Sequence, residues 1–240
     1  MQYKFSPNQN YQDFAAGRVI YGRSGMPNFP VRLAQEIFCR CQEYLPEKSH
    51  LTLYDPCCGS GYLLTVLGYL NHNQIDMFVG SDIDQNAAEL ARQNLALLTW
   101  EGLMNRVSEL QALYQEFGKV SHLEALQSAE NLMAKIQNRA FVPRVEVFTA
   151  DILAEQALAD RNFKADIIIA DVPYGSLVAW QGESGDAVNR LLKNLVPVLK
   201  PTTIVAVCTD KKQKVRTDLY RRLEQQTIGK RRFTLLRYNL

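Results

Sequence analysis

The sequence has no C-x-x-C pair, no cluster of histidines and no long apolar run. Each absence closes a class. The five cysteines, Cys39, Cys41, Cys57, Cys58 and Cys208, are odd in number, and His50, His72 and His122 lie far apart. A zinc centre gathers about four ligands, so no metal is expected and the thiols read as reduced and structural. No stretch approaches the ~20 apolar residues of a membrane helix, so no membrane partner is expected. The opening MQYKFSPNQNYQDF lacks the apolar core and cleavage pattern of a signal peptide, which makes the cytoplasm the expected compartment. Net charge is scarce too, at +2 over 240 residues. With 47% hydrophobic and 22% charged residues, residues 1–240 read as one globular domain.

The small net charge conceals an asymmetry. Residues 200–240 carry 11 Lys and Arg against 3 Asp and Glu, a balance of +8, whereas residues 1–199 stand at −6. A basic C-terminal segment, 211–240, on an acidic body suggests a polyanion at one face.

Apolar runs of strand length alternate with helical periodicity. LTLYD, MFVGSD, VEVFTAD, ADIIIAD and TIVAVCTD end at Asp55, Asp82, Asp151, Asp171 and Asp210. Between them FPVRLAQEIFCRCQEYL, QNAAELARQNLALL and DAVNRLLKNLVPVLK read as helices. Pro30 suits the first turn of one, Asp84 and Asp186 can cap the others, and Pro197 should kink or end the last. This alternation predicts an α/β fold, a doubly wound, mostly parallel sheet. In such sheets ligands sit beyond the carboxyl ends of the strands, and five terminal acids suggest a polar binding edge there. The C-terminal RRFTLLRY alternates enough to be a last, antiparallel strand. The stretch from Trp100 to Pro143 has no strand pattern. Gly118 as a stop, then Ser121 and Glu124 as a capping box, predict a helical hairpin inserted between the second and third strands.

The glycine turn in DPCCGSGYLL discriminates among cofactors. A phosphate-cradling P-loop needs a Lys after its last glycine, and none follows Gly61. A dinucleotide loop needs a third glycine where Leu64 stands. Asp55 before the turn would repel a pyrophosphate and favours a cationic ligand. S-adenosylmethionine, with its sulfonium and ammonium and no phosphate, is such a ligand.

D-P-x-x-G-S-G resembles the first motif of class I methyltransferases, whose fold is Rossmann-like with a seven-stranded sheet. By that resemblance Asp55, Pro56, Cys57, Gly59 and Gly61 form the cofactor loop. The glycines admit the amino-acid part of S-adenosylmethionine and Asp55 places its ammonium. Asp82 would accept the ribose hydroxyls. Asp84 competes for that role but is better read as a helix cap. Asp151 resembles the acid that accepts from the adenine amine.

ADVPYG, Ala170 to Gly175, resembles the [DNS]-P-P-[YFW] motif of enzymes that methylate planar nitrogens, with Val172 in place of the first Pro. An aryl amine donating to the Asp171 carboxylate and the Pro173 carbonyl is drawn towards tetrahedral geometry, and its lone pair can then meet the methyl group. Tyr174 would stack on a splayed base.

RVIYGRSGMPNFPVRLAQEIF, LYDPCCGSGYLLTVLGYL, NLALL, the helical insertion and DVPYG occur in the same order in the AviRa-like family of 23S ribosomal RNA guanine N-methyltransferases. Their best-known member confers avilamycin resistance. The resemblance implies a guanine in 23S ribosomal RNA, free or in a precursor of the large ribosomal subunit. It makes residues 18–49 a segment flanking substrate and cofactor, with Arg18, Arg23 and Arg32 near the substrate mouth. Lys211, Lys212 and Lys214 follow the fifth strand on the expected active edge, where they can bind phosphates. The alternatives are methylation of adenine N6 or of an amide nitrogen, and a non-catalytic RNA-binding module on the same fold. A dehydrogenase is disfavoured by Leu64 and Asp55.

Overall fold

The computed structural model describes residues 2–22, 28–138, 141–172, 187–213, 215 and 217–239. Strands buried on both faces need two apolar sets in alternation, and the sequence supplies them. Along β4 (Ala165–Asp171), Ile167 and Ile169 enter one core cluster while Ile168 and Ala170 enter the other. Along β5 (Leu199–Asp210), Ile204, Ala206 and Cys208 alternate in the same way with Val205 and Val207. The first cluster is covered by α1 (Val31–Gln42) and α2 (Tyr62–Leu70), through Ile37, Phe38, Leu64 and Leu67. The second is covered by α6 (Ala187–Leu195), through Leu191, Leu192 and Leu195. Helices therefore lie on both faces, as the unbroken apolar run of β4 requires.

The remaining strands are β1 (Leu51–Asp55), β2 (Ile75–Asp82), β3 (Arg144–Thr149), β6 (Tyr220–Ile228) and β7 (Arg231–Tyr238). They complete a seven-stranded sheet in the order β3-β2-β1-β4-β5-β7-β6. Strands β3 to β5 in that order run parallel, and β7 pairs antiparallel with both β5 and β6. The expected antiparallel last strand is β7. Its hairpin partner β6 has no counterpart in the sequence reading. β3 stops at Thr149 rather than Asp151, and β5 begins at Leu199. Pro197 ends the helix early: α6 closes at Leu195 and a single 3-10 turn, Val196–Val198, leads into β5. Asp186, expected to cap that helix, lies outside the described residues.

The inserted hairpin is α4 (Trp100–Phe117) and α5 (Val120–Ile136), which follow α3 (Gln85–Ala96). Thr99 caps α4 by accepting from Gly102 N at 3.0 Å. Gly118 ends it in the left-handed conformation, φ 59°, as glycine can without a Cβ penalty. The capping box expected of Ser121 and Glu124 does not form, because Lys119 is the N-cap and Glu124 is drawn instead to Arg18, 2.9 Å away. The hairpin clamps the N-terminal segment. Arg106 donates to the carbonyls of Val19 (3.0 Å) and Arg18 (2.9 Å), and Val19 and Ile20 are fully buried beneath it. No helix among the described residues is long and apolar enough to cross a membrane.

Candidate active site

The order of strands reverses between β1 and β4, and Asp55 and Asp171 end these two adjacent strands. That is where an open α/β sheet forms its crevice. The loop after Asp55 is fixed by backbone bonds. Asp55 Oδ1 accepts from Cys57 N at 3.0 Å, and Cys58 N donates to Ser81 O at 2.9 Å. Gly59 N donates to Asp82 Oδ2 at 2.8 Å, and Asp84 N to Asp82 Oδ1 at 3.0 Å. Asp82 is thus the tie between the glycine loop and the end of β2. Each of its oxygens already accepts one N–H, and each keeps a lone pair for a further donor.

The two glycines of the loop differ. Gly59 has φ 52°, and a Cβ there would meet nothing within 4 Å. The space beside it is open to a ligand. Gly61 has φ 70°, and a Cβ there would strike Ala91 Cβ at 2.9 Å. Its bareness lets the loop pack closely on α3. Leu64, where a dinucleotide loop has its third glycine, is fully buried; Gly80 of β2 makes room for it, since a Cβ there would lie 3.3 Å from Leu64 Cδ1.

Asp84 caps α3, accepting from Asn86 N at 2.8 Å. Asp151 stands in the turn after β3, where its Oδ1 accepts from Leu153 N at 2.9 Å. Ala150 N donates to Asp82 O at 2.9 Å, which carries that turn alongside Asp82. Pro56 is buried in the loop and Cys57 half-buried. One thiol registers how closely the acids converge. Burial pushes the Cys57 thiol well up, and Asp55, Asp82, Asp171 and Asp151 all push it further. Asp55 is itself well above the carboxylate range, first through burial and then through Asp171 and Asp82. Four acids gather around this thiol, and the repulsion of Asp55 by Asp171 and Asp82 is one that a cation would relieve.

Asp171 has two unlike oxygens. Oδ2 lies 3.4 Å from Arg231 Nη1. Oδ1 is buried without a hydrogen-bond partner among the described residues. Burial raises the Asp171 carboxyl to about 6, against the pull of Arg231. A carboxylate held near 6 is a better proton acceptor than an ordinary one and is still ionised at neutral pH. Pro173 and Tyr174, its expected companions, lie outside the described residues, as do Arg23 and Lys214.

The expected RNA-facing cations separate into two groups. Arg18 is engaged by Glu124 at 2.9 Å and Ser128 Oγ at 3.4 Å. Arg32 donates to Ser6 O at 3.1 Å and covers the Tyr3 ring at 3.9 Å. Both hold the N-terminal segment in place. Lys211 and Lys212 are exposed in the turn after β5, and Lys211 N donates to Lys230 O at 2.9 Å. This bond adds the exposed Lys230 to the same patch.

Asn94 is a functional candidate that the sequence reading passed over. It is fully buried on α3; its Oδ1 accepts from Tyr21 N at 2.8 Å, and its Nδ2 donates to Tyr21 O at 3.0 Å and Ser60 O at 2.9 Å. It joins the N-terminal segment to the glycine loop. The signal was an amide in line with the buried Ala87, Ala91 and Leu95, since a polar group on an apolar helix face needs buried partners.

Over residues 1–231 the chain matches the family described as rRNA methyltransferase AviRa. It is 39% identical over 228 residues to a 23S rRNA (guanine(2535)-N(1))-methyltransferase of Streptomyces viridochromogenes, covering 94% of this chain and 91% of that protein. A solved structure of rRNA methyltransferase aviRa from Streptomyces viridochromogenes has a TM-score of 0.86 at 38% identity, over 96% of this chain and 94% of the other. The putative methyltransferase yhhF of Escherichia coli shares the fold alone, with a TM-score of 0.51 at 15% identity over 89% of this chain and 90% of that one.

Proposed function

The chain belongs to the AviRa family of rRNA methyltransferases, and from that premise we propose that it methylates N1 of a guanine in 23S ribosomal RNA with S-adenosylmethionine as donor. The observation that supports this reading most is the buried Oδ1 of Asp171 at the carboxyl end of β4, which has no hydrogen-bond partner among the described residues. Guanine N1 carries a proton, and its electron pair belongs to the ring's π system. The proton must leave before an in-plane pair can form a bond to carbon. Asp171 Oδ1 is the group to take it. Adenine N6 and amide nitrogens need polarisation more than deprotonation, and for them an ordinary carboxylate would serve as well.

The residues present fit the donor. The open face of Gly59 admits its amino-acid portion, and Asp55 receives the ammonium. Asp82 offers its remaining lone pairs to the ribose hydroxyls, and Asp151 lies beyond it for the adenine amine. When bound, S-adenosylmethionine supplies an electrophilic methyl group on a positively charged sulfur. Asp55, Asp82 and Asp171 balance that charge. Lys211, Lys212 and Lys230 stand to hold RNA phosphates, while Arg18 and Arg32 brace the protein.

Incubation of unmodified 23S rRNA with the protein and methyl-labelled S-adenosylmethionine, followed by digestion to nucleosides, tests this reading. Label in 1-methylguanosine is the expected result. Label in N2-methylguanosine or a methyladenosine would overturn it.

Asp82→Ala is expected to weaken S-adenosylmethionine binding by about 1.5–3 kcal/mol, the scale of hydrogen bonds to a charged group. The melting temperature without ligand should fall as well, because Gly59 N loses its acceptor. Titration calorimetry showing wild-type affinity would take the ribose away from Asp82.

A further inference from the structure

Arg231 falls in a run of basic residues, Lys230 to Arg232, that reads in the sequence as phosphate-binding surface. The structure puts it elsewhere. It is the first residue of β7, paired in register with Asp210 of β5. From there its side chain crosses the end of β5 to Asp171 on β4, with Nη1 at 3.4 Å from Oδ2. Its guanidinium also lies 4.9 Å from the centre of the Phe29 ring. Phe29 is buried just ahead of α1. A planar cation held between a ring and a carboxylate has a fixed orientation that a solvent-facing phosphate ligand does not need.

We infer that Arg231 is a positioning residue for the reaction: it holds one oxygen of Asp171 so that the carboxylate stays ionised with its other oxygen turned to the guanine. The inference rests on the reading of Asp171 as proton acceptor. Among the described residues, the other titratable groups facing Asp171 are Asp55 from β1, Cys57 from the glycine loop and Cys208 from β5. None of these is a cation. Burial raises the Asp171 carboxyl to about 6 and Arg231 opposes the rise, so removing the guanidinium must move it higher still.

The sign follows. The base works only when ionised, so the rate falls on the acid side of its pKa. Without Arg231 that acid limb moves to higher pH. An opposite charge at this range shifts a carboxyl by roughly one unit or more. Arg231→Gln is therefore expected to lose about tenfold more activity at about pH 5.5 than at about pH 8.5, compared with wild type. Arg231→Lys keeps a charge but not the planar fork, and its limb should lie between the two. Damage that is merely structural would lower the rate by the same factor at every pH. Binding of S-adenosylmethionine should be unchanged in both variants.

In either variant, an acid limb at the wild-type position overturns the inference. So does a fall of about one in the salt dependence of RNA affinity with an unmoved limb, which would make Arg231 a phosphate ligand. Asp171→Asn, assayed alongside, separates the two levels. If it is as active as wild type, the reading of Asp171 as base has failed. If it is slow while the Arg231→Gln limb stays in place, only the role of Arg231 has failed.

Discussion

Asp171→Asn is expected to slow methyl transfer by roughly 10²–10³-fold at neutral pH while S-adenosylmethionine still binds. The amide keeps the shape of the side chain but cannot take a proton. The loss should shrink on the acid side of about 6, where the wild-type carboxyl is itself protonated. The same substitution should make the protein more stable. Burial lifts the folded pKa of Asp171 above its unfolded value, so the unfolded chain gives up this proton more readily. Its contribution to stability is therefore greatest below the ordinary carboxylate range and is lost as pH rises through about 6. Removing the charge should return on the order of 1–3 kcal/mol at neutral pH. Urea unfolding at about pH 7.5 and about pH 4.5 checks this, with the larger gain at the higher value. A variant both fully active and no more stable would mean that Asp171 is neither the base nor strained by its site.

An acid buried at the end of an apolar strand weakens the fold, and the position of Asp171 was legible in the sequence. β4 is a parallel strand covered on both faces, so it reads as an unbroken apolar run, and an acid at its end stands out. β1, β2 and the glycine turn were legible for the same reason. β6 was not. It is an edge strand, and YRRLEQQTI carries the charged and polar side chains that keep an edge from pairing with other chains. Those same residues erase the strand's alternation. The partners of side chains were the other loss. Ser121 and Glu124 have the spacing of a capping box, but Glu124 answers to Arg18, which is 106 residues away. Arg231 looked like one of several exposed cations because its partner, Asp171, is 60 residues distant. Local spacing identifies elements and loops; it says little about a charge whose partner is brought up by the sheet.

Glu36→Gln is expected to release the first turn of the chain, at a cost of about 3–5 kcal/mol to the local structure, the scale for breaking a buried ion pair from one side. Glu36 is fully buried on α1, yet its carboxylate is saturated. It accepts from Lys4 N and Phe5 N at 2.8 Å, from Ser6 N at 2.9 Å and from Arg40 Nε at 2.7 Å. An amide has one accepting oxygen, so its nitrogen would be turned against a donor. At least one N–H and part of the Arg40 charge would be left buried without an acceptor. Burial alone would push the Glu36 carboxyl up. The N–H groups of Lys4 and Phe5, the Arg40 guanidinium and Ser6 N together outweigh it and hold the carboxyl below the ordinary range. The stabilisation is therefore complete above the unfolded pKa of a glutamate and is lost as pH falls through the lower folded value. Amide hydrogen exchange at Phe5 and Ser6 should quicken by about 10²-fold or more in the variant, and in wild type only under strong acid. Wild-type protection in Glu36→Gln would show that the N-terminal segment is held by its apolar contacts instead. The lock has a reach beyond its own turn. Arg40 also bonds Glu224 of β6, and Ser6 O receives Arg32. β6 pairs along its length with β7, whose first residue is Arg231. Loosening Glu36 should therefore lower the rate of methyl transfer modestly, through the hairpin that carries Arg231 to Asp171.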